Sequence, residues 1–444
     1  MEQNNRYKLP IVPVVTMFFL FAMISFVTNL AAPIGTIWRN AYEGSNTLGM
    51  MGNMMNFLAY LFMGIPAGNM IVRIGYKKTS LIAMIVGIAG LFTQYLSSRW
   101  GAGTVLFTMD KFTIHLNFII YLLGAFICGF SVCMLNTVVN PMLNTLGGGG
   151  VRGNQLLQFG STFNSLSGTL TPLFVGALIG TVTAQTTMGD VTPLLFLAMG
   201  VFAVASLIIT FVAIPEPHLR KSAEKQEKAA HSPWNFRHTV LGVIGIFIYV
   251  GVEVGIPGTL NFYLADSSAR GAGLLTVGGA IAAVYWLLML VGRSLSSLIS
   301  GKVSSRVQLL TVSATAIVFV LLAIFIPKEV TVMMPGYSVG HGFSLAHVPV
   351  SALFLVLCGL CTSVMWGGIF NLAVEGLGKY TAQASGIFMM MVVGGGVLPL
   401  FQQFVADKAG YMTSYWVIIA GLAYLLYYAL VGCKNVNTDI PVEE

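Results

Sequence analysis

Residues 239–265 read TVLGVIGIFIYVGVEVGIPGTLNFYLA and contain a single charged side chain, Glu253. A helix that crosses a bilayer needs about 20 predominantly apolar residues, so this stretch predicts a transmembrane helix. The whole chain is 56% hydrophobic and only 8% charged. The sequence therefore predicts an all-α, polytopic membrane protein with twelve transmembrane helices. Their apolar runs are 11–37, 48–71, 80–97, 115–146, 154–181, 191–214, 239–265, 272–299, 307–326, 347–374, 382–405 and 411–432.

Lysine and arginine are concentrated in alternate loops, and this asymmetry predicts the orientation because positive loops stay on the cytoplasmic side. With both termini cytoplasmic, fifteen basic residues lie inside and six outside. The net charge of +7 is thus mostly a topology signal, and we do not expect nucleic-acid binding. The first run is too long for a signal peptide and lacks a small-residue cleavage site, so we expect it to remain as the first helix.

A long charged segment, 215–237, predicts a cytoplasmic linker between two domains. These are an N-terminal six-helix bundle (1–214) and a C-terminal six-helix bundle (238–433), followed by a cytoplasmic tail (434–444). The halves echo each other, since residues 128–147 parallel residues 358–378. Two six-helix pseudo-repeats are typical of transporters that rock around a site near the bilayer midplane.

Residues 68–78 (GNMIVRIGYKK) form the loop between the second and third helices. They resemble the G-x-x-x-D-R-x-G-R-R/K signature of the major facilitator superfamily, with Val72 where that motif has its aspartate. A basic inner loop that merely obeys the charge bias is the alternative explanation. The six-plus-six layout favours the superfamily and its fold.

A narrower resemblance rests on residues 136–141 (NTVVNP), 162–172 (TFNSLSGTLTP) and 247–253 (FIYVGVE). They are similar to the E-T-x-x-N-P, Q-x-F-N-S-L-G-T-x-x-x-P and F-x-Y-V-G-x-E patterns of the fucose–galactose–glucose symporter family. That resemblance implies a secondary transporter that imports a small neutral sugar (hexose, deoxyhexose or amino sugar) by alternating access across a bacterial inner membrane. We expect a monomer in the lipid bilayer, without enzymatic activity, cofactor or metal.

Two departures from this family concern the coupling ion. Its proton symporters carry an aspartate in helix 1 and a glutamate in helix 4, where this chain has Asn29 and Asn136. Asparagine does not exchange protons at physiological pH. Proton coupling, sodium coupling and facilitative uniport therefore all remain open.

Asparagines in the N-terminal half are candidates for sugar binding. Asn136 and Asn140 are four residues apart, which places them on one side of helix 4. Asn29 and Asn164 lie at comparable depth in helices 1 and 5. An amide offers donors and an acceptor, which suits a sugar hydroxyl. The alternative is that these amides join helices to one another.

Aromatic residues are the candidates in the C-terminal half. Tyr285 and Trp286 lie near the middle of helix 8, and Trp366 lies in helix 10. Rings placed this deep suit a wall that stacks on the apolar face of a sugar. Filling of the bundle core is the alternative.

Glu253 and Arg293 are the charged residues that fall well inside the apolar runs. A charge in a bilayer is energetically costly, which makes both residues candidates for a functional role. We expect Glu253 to take part in ion coupling or gating, with a structural partnership to Arg293 or to a helix 11 amide such as Gln402 as the alternative. Gly251, Gly255 and Pro257 also predict a bend or break in helix 7. For Arg293, gating and simple anchoring at the inner end are both open.

Two rival functions share this fold. An efflux antiporter for apolar or cationic compounds would have an acidic cavity with fewer amides. A nutrient sensor or lipid translocator would use the fold without sugar flux. Uptake of labelled hexoses into liposomes distinguishes all three.

Overall fold

The structure is a computed structural model that describes residues 10–109, 111–148, 150–180, 182–183, 185–216, 232–266, 275–299, 303–338, 342–377, 380–437 and 439–440. The predicted linker falls largely on 217–231, outside the described residues, as do 1–9 and 441–444 of the predicted termini. Within the described chain, eleven helices are long and apolar enough to cross a membrane.

The described residues of the first half form six helices and one hairpin. They are α1 (Ile11–Asn29), α2 (Ala31–Ala41), α3 (Asn46–Ser97), β1 (Val105–Met109), β2 (Phe112–His115), α4 (Leu116–Leu146), α5 (Gly150–Ile179) and α6 (Thr192–Phe211).

The second half begins with a 3-10 turn at Pro233–Asn235 and ends with a π-helical turn at Tyr428–Gly432. Between them lie α7 (Arg237–Ala265), α8 (Leu275–Ile299), α9 (Ser305–Phe325), β3 (Thr331–Ser338), β4 (Gly342–Pro349), α10 (Val350–Thr362), α11 (Met365–Val374), α12 (Thr381–Met391), α13 (Gly394–Ala409) and α14 (Tyr411–Tyr427).

Two antiparallel hairpins, β1–β2 and β3–β4, are additions to the predicted all-α architecture. Both lie in loops on the same side of the helices, where strands can pair outside the apolar spans. We call this end of the molecule, which also carries Tyr42, the outer end, following the orientation that the charges predict. The opposite end, with the loop at Gly75, is the inner end.

The predicted second and third helices appear as one element, α3, which is interrupted at Gly75 (φ 85, ψ 171). The carboxylate of Glu216 accepts hydrogen bonds from the amides of Tyr76 (2.7 Å) and Lys77 (2.9 Å). These amides begin the second arm of α3, and the carboxylate gives them a side-chain acceptor there. A Cβ at residue 75 would lie 2.6 Å from that carboxylate. Glycine is therefore required here for both its dihedrals and its size.

The two halves pack against each other through α2, α3 and α5 on one side and α7, α8, α12 and α13 on the other. Small residues allow the closest approach between the helices of the two halves. A Cβ at Gly396 would lie 2.9 Å from the side chain of Phe57 and 3.0 Å from the backbone of Met54. Beside it, the Asn53 amide donates to the Gly395 carbonyl (2.9 Å). The glycine triplet that begins α13 thus brings the two bundles together.

We predict that Gly75→Ala lowers the free energy of unfolding by about 2 kcal/mol, because alanine is strained in this backbone region. It would also displace Glu216. Gly68→Ala is the matched control, since a Cβ there meets nothing within 4 Å and alanine favours a helix. The thermal unfolding midpoint in detergent measures both variants. Equal midpoints would contradict this account of the break in α3.

Candidate functional site

Three short turns between consecutive helical segments lie at one central cavity between the bundles. They fall at Leu30 between α1 and α2, at 363–364 between α10 and α11, and at 392–393 between α12 and α13. Asn29, Ser363 and Val392, which lie at these turns, all line the cavity. The backbone at all three turns keeps right-handed helical dihedrals, so the segments on either side continue as one membrane-spanning unit.

The cavity has a volume of about 210 Å³. A single water needs about 10–15 Å³ by this measure, so the space accepts a small molecule. Six of the seven predicted substrate-binding residues line it: Asn29, Asn136, Asn140, Asn164, Trp286 and Trp366. Glu253 and Arg293 line it as well. Residues up to 337 positions apart in the chain therefore meet at one place.

The predicted residue Tyr285 does not line this cavity. Its side chain is fully buried behind Trp286, and its hydroxyl is 2.7 Å from that of Thr362. The two rings meet edge to face with centroids 5.5 Å apart. Adjacent helical residues point in different directions, so only one of the pair can face the cavity. Tyr285 is thus a residue that positions Trp286.

Internal hydrogen bonds hold the amides of helix α4. The Asn136 side chain donates to the Tyr60 hydroxyl at 2.7 Å. Asn140 donates to the Asn136 carbonyl at 2.8 Å. Each bond uses the amide nitrogen, so the side-chain oxygens stay available to accept from a ligand.

Asn29 and Asn164 complete the polar wall of the first bundle. The amide nitrogen of Asn29 donates to the carbonyl (2.9 Å) and hydroxyl (3.1 Å) of Ser25, so Asn29 also keeps its oxygen available. Asn164 lines the cavity. Its side-chain amide nitrogen and oxygen make no hydrogen bond with any residue in the described ranges. The polar wall therefore offers the side-chain oxygens of Asn29, Asn136 and Asn140 as acceptors held in place by hydrogen bonds. Asn164 adds an amide that can both donate and accept.

Trp286 and Trp366 form the apolar wall of the second bundle. Trp366 lies 6.2 Å from Tyr249, measured between ring centroids. Opposite them, Phe57 of α3 also borders the cavity. Apolar rings facing a few placed polar groups are typical of small-molecule sites.

Glu253 and Arg293 form an ion pair with an N–O distance of 3.4 Å, and their side chains are only 15% and 12% exposed. Arg293 also reaches across the bundle interface to α5. It donates to the Ser161 carbonyl (3.0 Å) and to the Ser165 hydroxyl (2.9 Å). Arg293 thus connects the buried carboxylate of one bundle to a helix of the other, and it is more than an anchor at the inner end.

The predicted break in helix 7 is absent, because α7 runs from Arg237 to Ala265 with Pro257 inside it. Its glycines serve helix packing instead. A Cβ at Gly255 would lie 2.6 Å from the side-chain oxygen of Gln402 in α13. The turns at the cavity lie in other helices, and the one at 392–393 directly precedes the glycine triplet and Pro399 of α13.

Sequence reasoning missed several residues of this site. Tyr60, Ser25 and Phe57 lie in no recognised motif, and their contacts depend on how α1, α3 and α4 pack. Ser161 lies directly before residues 162–172, where the Q-x-F-N-S-L-G-T-x-x-x-P pattern has its glutamine. Tyr249 had a sequence signal, since it lies one helical turn before Glu253 in the FIYVGVE motif, and its ring packs against Trp366.

We predict that Arg293→Ala lowers the free energy of unfolding by about 3–5 kcal/mol, because it leaves the Glu253 carboxylate buried without its counter-charge. Adding Glu253→Gln should recover much of the loss, since a neutral amide needs no ion partner. Arg99→Ala at the exposed outer loop is the control and should have little effect. Thermal unfolding in detergent measures these three variants and the wild type. A double variant no more stable than Arg293→Ala would show that the arginine acts through other contacts.

Comparisons with known proteins cover almost the entire chain. Residues 14–399 match the sequence model of the Major Facilitator Superfamily. The glucose/galactose transporter of Brucella abortus is 28% identical over 442 residues, covering 98% of this chain and 96% of that protein. The L-fucose-proton symporter of Escherichia coli is 23% identical over 437 residues, covering 92% of this chain and 89% of that protein.

Among solved structures, the Escherichia coli fucose:proton symporter superposes with a TM-score of 0.67 at 18% identity. The match covers 95% of this chain and 98% of that chain. This similarity establishes a shared fold.

Proposed function

This chain belongs to the major facilitator superfamily, as its motifs predict, and we propose that it is a secondary transporter that imports a small neutral sugar by alternating access. A hexose, a deoxyhexose or an amino sugar is the expected cargo. The chain is a transporter and not an enzyme. The relatives named for glucose, galactose and fucose support this choice of substrate class.

The central cavity carries the proposal. Its amide oxygens accept hydrogen bonds from hydroxyl groups, and its tryptophans offer apolar faces to a sugar ring. Glu253 and Arg293 cancel each other's charge, so the cavity suits an uncharged substrate. An efflux antiporter for cations would need an acidic cavity, which the amides and this ion pair do not provide.

Alternating access requires two bundles that move against each other. We assign them to residues 1–214 and 238–433, with 215–237 as the cytoplasmic linker. The two arms of α3 on either side of Gly75 would each cross the bilayer, which brings the eleven candidate spans to twelve. Both termini are then cytoplasmic. A monomer in the bacterial inner membrane is the simplest arrangement.

Coupling to an ion would act through Glu253, because Asn29 and Asn136 replace the acids of proton-coupled relatives. A proton or Na⁺ that neutralises Glu253 would weaken its attraction to Arg293. The same arginine holds Ser161 and Ser165 of the other bundle. Ion binding would therefore change a contact between the bundles, which is what coupled transport requires. Uniport is the alternative.

The test of this function is uptake of labelled hexoses into liposomes that contain the purified protein. We predict that Asn136→Ala weakens sugar binding by roughly 1–2 kcal/mol, since it removes an acceptor and leaves Tyr60 unpaired. Asn40→Ala is the control, because Asn40 donates to the Thr183 carbonyl in an exposed position. Unchanged binding by folded Asn136→Ala would remove this residue from the site. Absence of uptake for every sugar would overturn the proposed function.

For coupling, we predict that Glu253→Gln loses gradient-driven accumulation and retains sugar counterflow, because only the ion-dependent step needs the charge. Accumulation and counterflow are measured in the same liposomes with imposed proton or sodium gradients. Accumulation that persists in Glu253→Gln would exclude this residue from coupling. Wild-type uptake that responds to neither gradient would identify a uniporter.

A further inference from the structure

The outer ends of the two bundles are joined by a polar cluster that lies outside the central cavity. It comprises Arg39 of α2 and Asn46 and Thr47 of α3 in the first bundle. Asp266, which follows α7, Asp407 of α13 and Tyr411 of α14 come from the second. We call these six residues the outer latch.

Asp407 caps a helix that belongs to the other bundle. Its carboxylate accepts from the amide of Asn46 (2.9 Å), from the amide of Thr47 (2.8 Å) and from the Thr47 hydroxyl (2.6 Å). Asn46 and Thr47 are the first residues of α3, whose amides have no partner within the helix. The N-cap residue Ser45 accepts from the later amide of Leu48 (3.3 Å). The helix start therefore depends on a carboxylate from across the interface, which also favours its positive end.

Arg39 forms the second part of the latch. It is only 7% exposed. Its guanidinium donates to Asp266 (2.9 Å) and Tyr411 (3.0 Å) of the other bundle, and to Asn46 (2.7 Å) of its own. The Tyr411 hydroxyl lies 3.1 Å from Asp266 and 3.2 Å from Asn46. The charge of Arg39 is thus neutralised by Asp266, a carboxylate of the second bundle. Opening of the outer side would separate the two.

The latch stands between the cavity and the outer surface. A second chamber of about 100 Å³ adjoins the central cavity on its outer side. Asn29, Phe57 and Trp286 line both spaces, whereas Met50 and Phe262 line only the outer one. Met50 lies one turn of α3 after Asn46. Separation of the latch therefore has to precede entry of a solute from the outer side.

We propose that the outer latch is the gate that holds the outer side closed. Asp407 and Asp266 are the second-bundle carboxylates whose bonds to the first bundle break when the gate opens. Each carboxylate bonds to the first bundle, so each bond stabilises only the outer-closed arrangement. Weakening either carboxylate shifts the population toward the outer-open state, because the latch contributes to one state and not to the other.

The test uses a cysteine placed in the outer chamber, Ala283→Cys, where the native residue is 4% exposed. The five native cysteines are all buried. A membrane-impermeant maleimide added to intact cells then reports opening of the outer side. When opening is fast compared with labelling, the rate measures the open population. No sugar is needed, so the outcome is independent of the proposed substrate.

In this background, Asp407→Asn and Asp266→Asn should each raise the labelling rate roughly fivefold, the factor expected for a weakened helix-cap interaction at Asp407 and for a weakened hydrogen bond to Arg39 at Asp266. Asp190→Asn is the matched control. Asp190 also accepts from a backbone amide and a hydroxyl, both of Thr187, and this cap lies within one bundle. It should leave the rate unchanged.

Thermal unfolding in detergent establishes that each variant is folded. If one latch variant does not fold, the other decides the question. Folded latch variants that label at the parent rate would overturn the proposal. So would an equal increase in Asp190→Asn, because the effect would then not come from the interface between the bundles.

Discussion

A charge inside a bilayer must be neutralised by the protein itself, and the arrangement of this molecule follows from how it meets that demand at Glu253. Arg293 lies 3.4 Å from the carboxylate. The same guanidinium holds Ser161 and Ser165, so one electrostatic requirement joins α7, α8 and α5. Because the pair also lines the central cavity, a solute or ion there acts directly on a contact between the bundles.

The second constraint is that backbone groups in the membrane have to be paired unless a cavity supplies partners. The turns near Leu30, Ser363 and Val392 meet this condition with helix-type hydrogen bonds, since the amides of Leu30, Ser363 and Val393 donate to the carbonyls of Phe26, Gly359 and Met390. The helix α7 meets it without any turn. Its Gly251 and Gly255 face α13, and its proline is accommodated within the helix. Glycine and proline therefore mark close packing in α7 and not a break.

Two carboxylates accept hydrogen bonds at the starts of helical arms. Their positions determine which of these contacts persists in every conformational state and which is broken when the bundles move. Glu216, at the start of the linker and just past the end of the first bundle, holds the amides after Gly75 of that bundle. Asp407 holds the amides of Asn46 and Thr47 from the second bundle. The chemistry is the same, and the difference lies in whether acid and helix belong to one rigid body. An interaction within a bundle stabilises that bundle in every state, whereas one between bundles favours a single state.

The sequence by itself determined the membrane-spanning helices, the superfamily and the residue types of the site, because apolar runs, charge asymmetry and short motifs are local properties of the chain. It singled out Asn29, Asn136, Asn140, Asn164, Trp286 and Trp366, which the structure brings to one cavity. Only the tertiary structure decided that Tyr285 lies behind Trp286 and that Tyr60 holds Asn136. It also decided that Arg293 crosses to α5 and that Asp407 caps α3. These contacts join residues far apart in the chain, and helix rotation and packing, which no local pattern encodes, bring them within bonding distance.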